Sequence, residues 1–133
     1  MKDFEITLKV RYAETDQMGI VYYANYFIWM EVARTSWFQH ICNKDYGRLE
    51  TEDGILLPVI EANCKYKSAI RYPDEVKIKL TPSIQKRLYI EFDYQIIARE
   101  KLCAQGFTKH ILMDRQFKPI RPLPKFITEA VKQ

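Results

Sequence analysis

The sequence predicts an α+β fold in which a curved, mostly antiparallel sheet of about five strands wraps around one long central helix. Three observations predict it. Short runs in which apolar and polar residues alternate open the chain and fill its second half, the signature of strands with one buried face. A single stretch from Tyr26 to Gln39 carries helical spacing instead, with Glu31, Arg34, Thr35 and Gln39 on one stripe. The rest of that helix (Tyr26, Phe27, Ile28, Trp29, Met30, Val32, Ala33, Trp37, Phe38) is apolar over most of its girth, so other structure must enclose it.

In order, Phe4, Ile6, Leu8 and Val10 alternate with Glu5, Thr7, Lys9 and Arg11 as a first strand. A polar loop around Asp16 and Gly19 leads into the helix, whose end is expected near residues 40–43. Residues 45–54 read as a polar, glycine-marked connection. From there the pattern is β: residues 55–66, a turn region closed by Pro73-Asp74, residues 75–83, residues 88–99, and, after a hairpin turn near Glu100-Lys101, residues 102–113. Short connections between these four strands predict a meander. The tail is broken by prolines over 119–124, and residues 125–132 can form a short terminal helix. A sheet of this order rolled around a helix has the shape of a hotdog.

Composition narrows the function. At 133 residues and 47% hydrophobic, the chain (1–133) is one domain with an ample core. The longest charge-free window near the helix, residues 17–30, is shorter than the ~20 apolar residues a membrane span needs. No apolar segment follows Lys2, so no secretory signal is expected and the cytoplasm is the default address. Cys42, Cys64 and Cys103 are odd in number and lack C-x-x-C spacing, as in reduced thiols and unlike a disulfide frame or zinc site. Net charge is +4, split between −3 over residues 1–66 and +7 over 67–133, which suits an anionic partner as readily as a solvated lysine-rich sheet face. No nucleic-acid-binding motif accompanies it.

The run Asp16-Gln17-Met18-Gly19-Ile20-Val21-Tyr22-Tyr23-Ala24-Asn25-Tyr26, preceded by Arg11-Tyr12 and followed by Trp29, Glu31, Ala33 and Arg34, resembles the active-site loop and helix of the 4-hydroxybenzoyl-CoA thioesterase family. It is similar in particular to the YbgC-like acyl-CoA thioesterases, in length and element order as well as in the D-x-x-G-[IV]-V-[YF]-x-x-N-Y run. The resemblance implies a hotdog fold, a homodimer whose two sheets join into one, frequently a homotetramer, and hydrolysis of acyl-CoA thioesters without a metal or other cofactor. An acyl carrier protein is the alternative partner to expect beside acyl-CoA. The resemblance also implies that Asp16 is the nucleophile or the base for water, and that the Tyr23 backbone N–H donates to the thioester carbonyl.

Physical chemistry accommodates those roles. A thioester needs its oxygen polarised and its carbon attacked. Tyr23 lies at the start of the helix, where unpaired N–H groups and the helix dipole favour a developing oxyanion, and Gly19 lets the loop turn tightly. One departure stands out: YbgC-like proteins typically carry histidine where this chain has Tyr23. His40 and His110 lie outside the loop, so a histidine-assisted reaction is not expected. Glu31 is expected to pair with Arg34, Asp93 to face solvent or a subunit contact, and Asn25 either to cap the helix or to orient a water. Tyr22, Tyr26 and Trp29 are candidates for an acyl pocket, with core packing the stronger reading for Trp29. Lys65, Lys67, Arg71, Lys86 and Arg87 are candidates for the coenzyme A phosphates. Two other hotdog functions compete: a dehydratase, which needs a histidine the loop lacks, and a non-catalytic acyl-CoA or acyl-carrier-protein binding module.

Overall fold

The computed structural model describes residues 3–133. Its elements are β1 (Phe4–Lys9), a 3₁₀ turn (Tyr12–Glu14), α1 (Asn25–His40), α2 (Tyr46–Thr51), β2 (Val59–Tyr66), β3 (Glu75–Gln85), β4 (Tyr89–Ala98), β5 (Lys101–Ile111) and α3 (Lys125–Lys132). The five strands form one antiparallel sheet in the order β1-β3-β4-β5-β2. This is the predicted hotdog architecture, with α1 lying against the sheet's inner face. Val76, Ile78, Leu80, Ile90, Phe92, Tyr94, Ile96 and Ala98 point inward as the alternation requires, and they meet Trp29, Met30, Ala33, Trp37 and Phe38 of the helix.

Several details correct the sequence reading. Among the described residues, only β3, β4 and β5 form a meander; β2 crosses to the far edge and pairs with β5 alone, so one of its edges carries no strand. Strand residues begin at Val59, because Ile55 turns into the core and Leu56 makes an isolated bridge to Met113. Residues 45–54, read as a loop, contain α2. That helix is capped by the Asp45 carboxylate on the Arg48 N–H and buries only Leu49, too little to leave a periodic signal. The β4–β5 turn lies one residue earlier than expected, at Arg99 and Glu100, both at positive φ as a two-residue hairpin demands.

The helix departs from its predicted setting on both faces. Arg34, assigned to the polar stripe, is buried, whereas Ile28 and Val32 are exposed at 49% and 41%. The chain therefore wraps α1 incompletely and leaves an apolar strip of the helix, Ile28 and Val32, exposed. Gly106 explains how closely β2 approaches β5: a Cβ there would collide with the Asn63 carbonyl oxygen.

Candidate active site

The site is built where the first loop meets the N-terminus of α1. Between Thr15 and Val21, which pair as an isolated bridge, the chain makes a tight reversal. Gly19 N–H donates to Asp16 O at 3.0 Å and Asp16 N–H to Ile20 O at 2.8 Å. Gly19 sits at φ +79, a conformation that selects glycine; space does not, since an added Cβ would meet only Arg71 Nη1 at 3.8 Å. The Asp16 side chain completes the turn, with Oδ1 accepting from Met18 N–H at 2.8 Å and from Ile20 N–H at 3.4 Å. Among the described residues, Oδ2 has no donor.

Glu14, two residues upstream, fastens this loop to the helix, and its residue type alone did not reveal it. It is buried, and its carboxylate accepts from Arg11 N–H at 2.7 Å and from Trp29 Nε1–H at 2.8 Å. Its backbone oxygen accepts from Tyr22 N–H at 2.9 Å and from Asn25 Nδ2 at 2.8 Å. Asn25 is thus engaged with Glu14, neither capping the helix nor hydrogen-bonded to Asp16; the cap position belongs to Ala24, whose side chain makes no such bond. No local sequence signal marks Glu14, because Arg11 stands where a capping box would carry Ser or Thr.

At the start of α1, Asn25 N–H donates to Tyr22 O at 2.9 Å and Tyr26 N–H to Tyr23 O at a long 3.4 Å. Among the described residues, the Tyr23 N–H itself meets no acceptor. Beside it opens a pocket of about 460 Å³ lined by Asp16, Met18, Ile20, Val21, Tyr22, Tyr23, Tyr26 and Tyr66, with Lys67, Ser68 and Ala69 at its border. The phenols of Tyr22, Tyr26 and Tyr66 stay protonated at neutral pH. Burial pushes Tyr26 up to about 12, burial beside Cys64 and Tyr26 raises Tyr66, and a hydrogen bond with Tyr23 raises Tyr22.

The pocket thus gathers Asp16, Tyr22, Tyr23, Tyr26 and Lys67. Arg71 lies alongside, bridged to Ile20 through the backbone. The other basic candidates stand apart from it. Lys65 opens onto the outer face of the sheet, in a concavity of about 380 Å³ shared with Asn63, Asp93, Gln95, Gln105 and Phe107. Lys86 and Arg87 form the β3–β4 turn at the other end of β3 from Arg71, roughly 30 Å away by strand rise. Trp29 belongs to the core, and Glu31 pairs with Arg34 at 3.9 Å. His110 is fully buried and tied to Leu57 O and Thr108 Oγ1; His40 binds Ser36 O on its own helix. Neither histidine lines the pocket.

A hotdog sheet with a carboxylate oxygen and an N–H just ahead of α1 left without partners beside one pocket is an arrangement that suits a thioester hydrolase. Comparison with known proteins gives the family: residues 10–131 match the family model of the thioesterase-like superfamily, and the chain belongs to that superfamily. A Bacillus subtilis (strain 168) relative, YneP, whose name assigns it provisionally to the acyl-CoA thioesterases, is 37% identical over 119 residues, covering 86% of this chain and 83% of its own. The crystal structure of a DHNA-CoA thioesterase from Staphylococcus aureus superposes with a TM-score of 0.89 at 34% identity, over 99% of this chain and 90% of that one. A 1,4-dihydroxy-2-naphthoyl-CoA thioesterase from Synechocystis shares the fold, with a TM-score of 0.91 at 21% identity over 99% and 97% of the two chains.

Proposed function

We propose that this protein hydrolyses acyl-CoA thioesters to the free acid and coenzyme A, with Asp16 as the reacting carboxylate and the Tyr23 N–H as the oxyanion donor. The observation that carries this reading is the pairing of an acceptor-only oxygen, Asp16 Oδ2, with an N–H lacking an acceptor, on the wall of one pocket. A thioester carbonyl docked on the Tyr23 N–H gains its hydrogen bond and the positive end of the α1 dipole as negative charge develops. Asp16 then takes a proton from water as the water oxygen attacks the carbonyl carbon, or attacks that carbon itself to give an anhydride that water opens. Either way the C–S bond breaks and the thiolate leaves as coenzyme A. The tyrosine lining supports a flat, aromatic acyl group, and the Staphylococcus relative is named for DHNA-CoA. Lys67 and Arg71 at the border supply charge for the coenzyme A phosphates.

A homodimer formed along β2 is part of this reading. All but one residue of that edge strand is exposed, including Val59 and Ile60, and Ile28, Val32 and Tyr22 add apolar surface. Antiparallel pairing about a two-fold axis sets the Val59 end of one β2 beside the Tyr66 end of the other, and so beside the pocket. A tetramer would be a pair of such dimers. Among the described residues, no helix is long and apolar enough to cross a membrane.

The test is thiol release from a panel of aromatic and aliphatic acyl-CoAs and acyl-pantetheine carrier proteins. Turnover of an acyl-CoA is expected, aromatic members fastest. Binding without turnover by every member would establish the binding-module alternative. Sedimentation velocity should give a dimer or larger for wild type and a monomer for Ile60→Asp.

A further inference from the structure

The wall of the pocket opposite the Asp16 loop comes from a different part of the chain, and one contact crosses between them. Tyr66 is the last residue of β2, paired with Ala104 of β5. The chain beyond it is pinned as well, since the Lys67 and Ser68 N–H groups both donate to Cys103 O, at 2.8 and 3.0 Å. From this firm base the Tyr66 side chain spans the pocket and its hydroxyl donates to Tyr23 O at 3.0 Å. Its ring meets Tyr26 edge-on at 4.9 Å between centroids and Tyr23 edge-on at 6.5 Å.

This hydrogen bond has a particular place in the site. Tyr23 is flanked by two peptide planes. The upstream plane, which carries the Tyr23 N–H, is held through Tyr22 O by Asn25 N–H at 2.9 Å. The downstream plane carries Tyr23 O, whose bond from the helix, Tyr26 N–H, is long at 3.4 Å. The Tyr66 hydroxyl is the shorter contact on that oxygen. With both planes held, φ and ψ of Tyr23 are fixed, and the direction of its N–H is fixed with them. Burial keeps the phenol protonated, as a donor to a carbonyl must be.

We propose that Tyr66 is a positioning residue for thioester hydrolysis: its hydroxyl, delivered from the edge strand, holds the Tyr23 main chain so that the Tyr23 N–H points at the developing oxyanion. This rests on the assignment of Asp16 and the Tyr23 N–H made above. An oxyanion donor is worth most when it needs no reorganisation in the transition state, so loosening it acts on kcat more than on KM.

The test compares wild type, Tyr66→Phe, Tyr66→Ala and Asp16→Asn on an acyl-CoA that the wild type hydrolyses, measuring kcat, KM and Tm. Tyr66→Phe keeps the ring against Tyr26 and removes only the hydroxyl. It is expected to lower kcat about tenfold, with KM within twofold and Tm within a few degrees. Tyr66→Ala, which also loses the wall, should lower kcat similarly and raise KM. A Tyr66→Phe enzyme with kcat within twofold of wild type, beside an inactive Asp16→Asn, overturns the positioning role and leaves the Asp16 assignment standing. A kcat loss accompanied by a matching fall in Tm makes the effect structural and also overturns it. Full activity in Asp16→Asn overturns the catalytic assignment and this inference together.

Discussion

Glu14 and Asp16 stand two residues apart in one loop, and the protein treats them oppositely. Glu14 is buried, and both its carboxylate oxygens and its backbone oxygen are occupied, by Arg11, Trp29, Tyr22 and Asn25. Asp16 is half-buried, commits one oxygen to its own loop and leaves the other over a pocket. A carboxylate with both oxygens engaged by donors of its own fold is a joint; one with an oxygen to spare can meet a water or a carbon. The first makes the second useful, because Glu14 fixes where the helix begins relative to the turn that displays Asp16.

The largest expected effect tests the Asp16 side of this contrast. In Asp16→Asn the amide oxygen can keep both bonds now made by Oδ1, so the loop survives while the basic, nucleophilic oxygen becomes an NH₂ group. Thiol release should fall by about 10²- to 10³-fold or more, with Tm nearly unchanged. A variant that loses Tm in step with activity would make Asp16 a second joint and break the contrast.

The difference between the two acids also shows what a sequence can display. Asp16, Gly19 and Tyr23 were singled out by the resemblance of the run from Asp16 to Tyr26 to a known loop and helix; Asp16 and Tyr23 do meet at one pocket, and Gly19 takes the positive φ of the turn between them. The sheet and α1 were legible because long period-two and helical patterns survive any detail of packing. Glu14 was not, since its meaning depends on Trp29, fifteen residues on, reaching back to it. Tyr66 lies 43 residues from its partner Tyr23, and Arg34 looked like stripe polarity until the sheet closed over it. The placement of β2 at the far edge is likewise a long-range outcome that short connections misread as a meander.

A second buried polar group extends the rule that saturation marks a structural role. The His110 Nδ1–H donates to Leu57 O at 3.1 Å, so Nε2 must accept, from the Thr108 hydroxyl at 2.9 Å, and Thr108 Oγ1 in turn accepts from the Tyr94 hydroxyl at 2.7 Å. Protonating the ring would put a donor against this chain and a charge in the core, and burial holds His110 down to about 4, with the Arg34 charge nearby also opposing protonation. The unfolded chain binds that proton near the ordinary value of 6.5. Stability from His110 is therefore intact above pH 6.5 and is lost as pH falls toward 4, by at most about 3 kcal/mol. Urea unfolding of wild type and His110→Gln at pH 7 and pH 4.5 measures it: the wild type should lose more stability between the two pH values than the variant. Equal losses would remove His110 from the account.

The smallest effect is expected at Glu14. Glu14→Gln keeps the shape but supplies one acceptor where two are needed, so either the Arg11 N–H or the buried Trp29 Nε1–H faces an NH₂ group. That mismatch should cost about 2 kcal/mol of stability in denaturant unfolding. Because Glu14 is buried and does not line the pocket, kcat at a temperature where the variant is fully folded should fall by only a fewfold, through slack in the loop. Per folded molecule, then, Glu14→Gln and Asp16→Asn should separate cleanly, the first losing stability and keeping rate, the second keeping stability and losing rate. A Glu14→Gln enzyme as slow as Asp16→Asn but fully stable would mean that the buried acid takes part in the chemistry, and would reverse the assignment of roles in this loop.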